Sequence, residues 1–225
     1  MNILALDLGK YNTVFCDYNC NNGKHKFGKI KTTPQAVHDL IVQKEPQRVV
    51  LEVCNLAGWV VDIARALGIE TETANTTHDA CRWKNVKKKN DKEDALKLAK
   101  LSSMNQLPMV YIPDKHVREM RSLIKYRQRL VNHKRSIQLA IRSIFSREGI
   151  TGVPKGKKAW SKVGLQWLRE HAKPLDQIED FNQLWRGQLH VELETFEAVT
   201  QSLKQVEDKL DELGACDERN QRLQT

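Results

Sequence analysis

The sequence predicts an α/β fold, a mixed sheet with flanking helices, followed by an all-α coiled-coil region. Strand-like apolar runs alternate with amphipathic helical patterns over the first hundred residues. After Pro113 the strand signals disappear, and long segments with heptad-spaced apolar residues follow. A chain of 225 residues is long enough for one domain with an appendage or for two small domains. We therefore expect a sheet domain over residues 1–108, a helical region over 109–225 and a hinge near 150–158.

The predicted sheet domain opens with a meander of three strands, NILALDL, TVFCDYN and HKFGKIKT, which are separated by Asn and Gly. A helix over TPQAVHDLIVQKE follows, with Thr33 as N-cap and Pro34 at the first helical position. RVVLEVCN is apolar on both faces, as expected of a strand inside a sheet that helices cover. The helix LAGWVVDIARALG ends at Gly68, and IETETAN is a further strand. This order of elements predicts a mixed sheet.

Two long helices with apolar seams are predicted in the second part, with a shorter helix around WSKVGLQWLREH between them. The first long helix opens at Pro113 and Asp114 and closes at Gly149. Its seam contains Leu123, Leu130, Ile137 and Ile144, flanked by Ile124, Val131 and Phe145. The seam of the last helix contains Leu189, Phe196, Leu203 and Leu210, flanked by Val199, Val206 and Leu213. Such seams fit an antiparallel hairpin within one chain and a dimerisation arm equally well.

The composition favours polyanionic partners. Lys and Arg number 37 against 28 Asp and Glu, which gives a formal net charge of +9. The first residues show no basic leader before an apolar run, and no segment is long enough to cross a bilayer, so we expect a soluble, cytoplasmic protein with no membrane partner. The odd number of cysteines and the absence of a C-x-x-C pair indicate reduced packing thiols: Cys16, Cys20, Cys54, Cys81 and Cys216.

Two basic segments are candidates for nucleic-acid binding. On the first long helix the predicted contacts are Arg118, Arg121, Lys125, Arg127, Arg129, Lys134 and Arg135. In the loop RWKNVKKKN they are Arg82, Lys84, Lys87, Lys88 and Lys89. Cations often only solvate a helix face, but acids that would pair with them are scarce on this helix, and arginine suits phosphate contact. Trp83 in the loop could stack on a base, although a lone tryptophan is more often a packing residue.

Two carboxylates interrupt apolar strands of the predicted sheet. Asp7 shares a strand face with Ile3 and Ala5, and Glu52 shares one with Val50. A carboxylate in such a strand is costly unless it is paired or bound to a metal ion. A salt bridge to one of the many lysines would explain either residue alone, so the strands leave a structural and a functional role open.

Two further carboxylates lie in the segment KNDKEDA. If a helix starts near Asp91, the spacing of three residues puts Asp91 and Asp94 on one face. Taken alone, the pair is explained by helix capping and by the helix dipole. Together with Asp7 and Glu52, however, the pair can form a cluster of four carboxylates that repel one another unless divalent cations neutralise them. Mg²⁺ or Mn²⁺ would suit such all-oxygen ligands and would support phosphodiester chemistry.

Three segments, ALDLGKYNT, VVLEVCN and above all KNDKEDALKLA, resemble motifs of the DEDD transposases of bacterial insertion sequences, the group that includes the Piv DNA invertase. The last is similar to the family motif Lys-Thr-Asp-x-x-Asp-Ala, with Asn90 in place of Thr. Cys54 and Asn55 stand where the family often has small residues. VYIPDKHVREMRSLIKYRQRLV also resembles the segment that follows the acidic domain in that family, so the resemblance covers essentially the whole chain.

The resemblance implies an RNase H/RuvC-like domain in which Asp7, Glu52, Asp91 and Asp94 are the metal-binding catalytic carboxylates, followed by a coiled coil used in homo-oligomer assembly. It implies DNA as partner, and in some members a structured guide RNA that pairs with donor and target DNA. Family members also carry a C-terminal domain with a nucleophilic serine. The sequence stops about where that domain would begin, so we expect an incomplete transposase or recombinase, and neither Ser102 nor Ser103 replaces the missing serine.

Two alternatives to an active transposase domain remain open on the sequence. The chain could be a truncated module that binds nucleic acid and oligomerises without completing a reaction. It could also be an actin-like ATPase, because LDLGKYNT resembles the first phosphate loop of that fold. Later Gly-rich phosphate loops are missing from the sequence, which argues against the ATPase.

Overall fold

The structure, a computed structural model, describes residues 1–75 and 90–215. Its contacts divide the chain into two compact units, Met1–Arg118 and Glu119–Thr225. The boundary predicted from the sequence lies between residues 108 and 109, before the long helix α4 (Lys115–Arg147). The boundary between the two units lies after Arg118, at the end of the first turn of that helix.

The first unit contains a five-stranded mixed sheet. Its strands are β1 (Asn2–Leu8), β2 (Asn12–Asn19), β3 (His25–Lys31), β4 (Arg48–Glu52) and β5 (Glu70–Ala74), in the spatial order β3-β2-β1-β4-β5. The three strands of the meander pair antiparallel, and β4 and β5 continue the sheet parallel to β1. The predicted strands are therefore confirmed, and so is the predicted class of a mixed sheet with flanking helices followed by a helical region.

Helices cover both faces of this sheet. They are α1 (Pro34–Lys44), α2 (Ala57–Ala66) and α3 (Asp91–Ser103). Alternation along β1 sends Leu4 and Leu6 to the face that α1 and α2 cover, whereas Ile3 and Ala5 pack with α3 on the other face. The first helix begins as predicted, because the Thr33 hydroxyl accepts a hydrogen bond from the Ala36 amide and Pro34 takes the first position.

The second unit is helical and consists mainly of α4, α5 (Lys162–His171) and α6 (Leu184–Ala215). The predicted seam residues of α4 and α6 share one buried cluster, which contains Leu130, Ile137, Ile144, Leu189, Phe196 and Leu203. The two helices run antiparallel, because Arg127 donates to Glu207 at 2.9 Å and Arg147 donates to Gln188 at 2.9 Å. Along this length the seams are satisfied within the chain, so the structure supports the intramolecular hairpin.

An aromatic cluster at one end of the hairpin ties α5 to the long helices. Phe145 is buried, and its ring centroid lies 5.4 Å from that of Trp167 and 6.0 Å from that of Trp185. Ile150 and Val153, within the segment predicted as a hinge, also pack against this core. The segment after α4 is thus part of the packing of the second unit.

The described cysteines are free thiols. Burial, followed by the charge of neighbouring Asp17, raises the pKa of Cys16 from 9.0 to about 12, so its thiol stays protonated at neutral pH. This supports a packing role for Cys16 and excludes it as a ready nucleophile. Cys81 and Cys216 lie outside the described residues. In the parts of the chain that are described, no helix is long and apolar enough to span a membrane.

Candidate metal centre and nucleic-acid surface

Asp7 and Glu52 lie at the carboxyl ends of two neighbouring parallel strands. Strand β1 pairs with β4 in a register that places Leu6 opposite Leu51. One residue further along this register, Asp7 comes beside Glu52, on strands spaced about 4.8 Å apart. The sheet therefore brings together two carboxylates that are 45 residues apart in sequence.

Both carboxylates lie on the face of the sheet that α3 covers. Ala5 and Val50, two residues before Asp7 and Glu52 on their strands, pack in one cluster with residues of α3 such as Ala95. Because side chains alternate along a strand, Asp7 and Glu52 share this face. Both carboxylate side chains are partly exposed, and each interacts with another residue.

Asn90 positions the acidic start of α3. Its side-chain oxygen accepts a hydrogen bond from the Lys92 amide at 3.2 Å, and its backbone oxygen accepts one from the Asp94 amide at 3.0 Å. Asn90 is therefore the N-cap, and Asp91 and Asp94 are the first and fourth helical residues. Capping no longer accounts for either aspartate, although the helix dipole still favours acids there. The family's Thr and this chain's Asn are both good N-cap residues, so the departure at Asn90 keeps the local structure.

The opposite end of α3 is anchored to the sheet by Arg48. This guanidinium, at the start of β4, lies 2.8 Å from a Glu72 carboxylate oxygen and donates to the hydroxyl of Ser102 at 3.2 Å. It also pairs with Glu70 at 3.0 Å. The C-terminal end of α3 is therefore held at the start of β4, and Lys92, in its first turn, lies over the Phe27 ring of β3, 5.9 Å from the ring centroid.

Arg48 is the positioning residue that the sequence analysis missed. The available signal was the strand IETETAN, in which Glu70 and Glu72 fall on one face and require a cation nearby. The side chains of Arg48 and Glu72 are 12% and 10% exposed, and the Glu72 Oε2 atom makes no hydrogen bond to any described residue. The pair is thus largely desolvated.

Replacement of Arg48 by Met is expected to lower the free energy of unfolding of the first unit by about 3–5 kcal/mol, because it leaves a buried carboxylate uncompensated. Urea denaturation measures this change. The double variant Arg48→Met, Glu72→Met is expected to recover most of the loss, because both buried charges are then removed. A double variant as unstable as the single one would contradict this account of the anchor.

The four carboxylates fit a divalent metal ion in their chemistry. All offer oxygen ligands, which Mg²⁺ and Mn²⁺ prefer. Among the described residues, however, no three His, Cys, Asp or Glu side chains come close enough together to hold a metal ion. The structure thus places Asp7 beside Glu52 in the sheet and Asp91 and Asp94 in the first turn of α3, without forming a closed ligand shell among the described residues.

The predicted basic surface of α4 is only partly free. Arg118 is bound to both carboxylate oxygens of Asp62 and to the Pro113 carbonyl, and Arg127 is paired with Glu207. Lys134 lies over the Phe196 ring, 5.1 Å from its centroid. Exposed on the side of α4 opposite the buried seam are Arg121, Lys125, Arg129 and Arg135, which we call the basic face.

The second predicted basic cluster lies outside the described residues. It comprises Arg82, Lys84, Lys87, Lys88 and Lys89. Trp83, in the same segment, also lies outside the described residues. These residues remain predictions from the sequence.

Comparison with known proteins connects these features to one family. A family model of DEDD transposases of the IS110 type, described as "Transposase", matches residues 4–147. A Sinorhizobium fredii protein named as a transposase, y4qE, is 29% identical over 82 residues, which is 36% of this chain and 20% of that protein. The chain therefore matches about a fifth of the length of this curated relative.

Among solved structures, the chain is similar to Thermus thermophilus RuvC. The sequence identity is 15% and the TM-score is 0.33, over 49% of this chain and 100% of RuvC. The family match itself spans the sheet, the acidic start of α3 and the long helix α4. The chain belongs to the DEDD transposase family of the IS110 type.

Proposed function

We propose that this chain binds DNA and contributes metal-dependent phosphodiester chemistry to DNA transposition or site-specific recombination. The observation that carries the proposal is the placement of Asp7 beside Glu52, on the sheet face that α3 covers. Two adjacent carboxylates repel one another, so an arrangement of this kind is favoured when a cation is held nearby.

In this proposal Asp7, Glu52, Asp91 and Asp94 hold Mg²⁺ or Mn²⁺. When bound, such ions activate an attacking oxygen and stabilise the leaving oxygen of a phosphodiester. The role of the chain is to hold the carboxylates in place: the parallel register sets Asp7 against Glu52, and Asn90 and Arg48 fix the two ends of α3.

The basic face supports nucleic acid as the partner. Helix α4 carries a single acidic residue, Glu119, so the cations of this face have almost no carboxylates on their own helix to pair with. Arg121 and Arg135 are 14 residues apart, so the face extends over about 21 Å. A cationic face of this length matches several phosphates of a DNA or RNA backbone. A structured guide RNA and assembly with further copies of the chain are also part of the proposal.

Removal of two cations from the basic face is expected to reduce the salt dependence of DNA binding. In the double variant Arg121→Ala, Arg129→Ala, the slope of log K against log salt should fall by about 1.8 for duplex DNA, since each phosphate contact contributes about 0.9. Fluorescence anisotropy of a labelled duplex at several KCl concentrations measures the slope.

The matched control is Lys204→Ala, Lys209→Ala, which removes two exposed cations from α6. It should leave the slope unchanged. If both double variants lower the slope equally, the binding is a property of the net charge, and the basic face is not the nucleic-acid surface.

A second candidate function is nucleic-acid binding without cleavage. It is favoured by the absence of a closed three-ligand shell among the described residues. Incubation of the full chain with a labelled duplex and structured RNA in the presence of Mg²⁺ or Mn²⁺ separates the two candidates. Strand cleavage that requires metal and is lost in Asp7→Asn supports the first candidate, and metal-independent binding without cleavage supports the second.

A further inference from the structure

The turn between β1 and β2 displays an aromatic side chain and a cation directly after Asp7. Tyr11 is 72% exposed, and Lys10 is also exposed. The Lys10 ammonium lies 5.2 Å from the centroid of the Tyr11 ring. Large aromatic side chains that stand in solvent offer recognition surface, because their apolar faces gain free energy when a ligand covers them.

Hydrogen bonds hold this turn in one conformation. The Gly9 amide donates to the Asn12 carbonyl at 3.1 Å, and the Thr32 amide donates to the Tyr11 carbonyl at 3.0 Å. The Thr32 hydroxyl donates to the Gly9 carbonyl at 2.8 Å. Buried Thr13 supports Thr32 from below, with their hydroxyl oxygens 2.9 Å apart.

Glycine is required in this turn for steric reasons. A Cβ atom on residue 9 would stand 2.5 Å from the Asn12 carbonyl oxygen, closer than any real Cβ contact. The backbone of the turn between β1 and β2 is therefore preorganised, so binding of a ligand there costs little conformational entropy of the main chain.

The location of the turn selects the ligand. Strand β1 ends at Leu8, so Lys10 and Tyr11 follow the carboxyl end of the strand at which Asp7 stands beside Glu52. A nucleic-acid strand that approaches these carboxylates meets electrostatic repulsion, which a lysine at the edge of the site reduces. An exposed tyrosine ring beside that lysine fits the flat face of an unpaired base, because bases inside a duplex are already stacked.

We infer that Lys10 and Tyr11 hold an unpaired stretch of a nucleic-acid strand beside the carboxylates, with a base stacked on the Tyr11 ring and a phosphate contacting the Lys10 ammonium. This inference rests on the proposed function. It adds a substrate contact that selects an opened strand over a closed duplex at the acidic end of the sheet.

The test uses the full chain and two labelled probes, a single-stranded oligothymidine and a fully paired duplex, with binding followed by fluorescence anisotropy. Tyr11→Ala is expected to weaken single-strand binding about fivefold or more, because loss of one stacked base has at least that effect. Tyr11→Phe should bind like the wild type, since the ring is kept. Lys10→Ala should reduce the salt slope for the single strand by about 0.7, the contribution of one phosphate.

Tyr111→Ala is the matched control. Tyr111 is 73% exposed and lies near the Arg65 guanidinium, but it follows α3 in the chain, before α4, and is not in the turn. This control should leave both affinities unchanged, and duplex affinity should be unchanged in Tyr11→Ala.

The outcomes separate this inference from the function on which it rests. Wild-type chain that binds neither probe overturns both the proposed function and the inference. Wild-type binding that Tyr11→Ala leaves intact, or that Tyr11→Phe weakens as much as Tyr11→Ala, overturns the stacking role alone. An equal loss of duplex and single-strand binding in Tyr11→Ala also overturns it, because the ring would then not distinguish an unpaired strand.

Discussion

The double variant Asp7→Ala, Asp94→Ala is expected to lose the rise in melting temperature that Mg²⁺ or Mn²⁺ produces in the wild-type chain. Metal at a hundred times its dissociation constant stabilises a folded protein by about 2.7 kcal/mol. For a chain of this size, that corresponds to a rise of about 5–10 °C. The variant removes one ligand from β1 and one from α3, so both elements that meet at the proposed centre are tested.

The control for this experiment removes the same charge from other positions. Glu93 lies in the first turn of α3 but points away from the face shared by Asp91 and Asp94, and Asp39 lies exposed on α1. The variant Asp39→Ala, Glu93→Ala should therefore keep the full metal-induced shift. Circular dichroism without metal checks that both variants are folded. An equal metal-induced rise in melting temperature in the wild type and in Asp7→Ala, Asp94→Ala would contradict the assignment of these carboxylates as metal ligands.

Replacement of Phe145 by Ala is expected to destabilise the helical unit by about 3–5 kcal/mol, the usual range for loss of a buried phenylalanine. Phe145 is 1% exposed and packs against Trp167 of α5 and Trp185 of α6. The substitution leaves a cavity at the point where all three helices meet. Urea denaturation followed by tryptophan fluorescence measures the loss.

Leu139 provides the matched control on the same helix. It is 58% exposed, so Leu139→Ala removes an apolar side chain from solvent and should change stability by less than about 0.5 kcal/mol. A similar loss in both variants would show that α4 is destabilised by helix-wide effects, and that the aromatic cluster does not carry the packing of this unit.

Much of the fold could be predicted because its signals are local. The short apolar run NILALDL, the Thr33-Pro34 helix start and the glycine at position 68 depend on a few neighbouring residues. The acidic start of α3 was predictable for the same reason, although its cap is Asn90 and not an aspartate.

The Arg48 anchor, and the choice of a hairpin over a dimerisation arm, could not be predicted because both depend on partners distant in the chain. Arg48 meets Ser102 across 54 residues, and Arg127 meets Glu207 across 80. A heptad pattern predicts that an apolar seam is covered by another segment, but it does not identify that segment. In the same way, the sequence of a basic helix does not show that Arg118 forms an ion pair with Asp62.

The sequence by itself determined the classes of element and the family, and it supplied the four candidate carboxylates, since each depends on short motifs and their spacing. The tertiary structure alone decided which of these residues become neighbours. Parallel pairing of β1 with β4 set Asp7 beside Glu52, and Arg48 fixed the C-terminal end of α3 at the start of β4. The physical reason is that register and helix direction follow from hydrogen bonds and buried contacts between segments far apart in the chain.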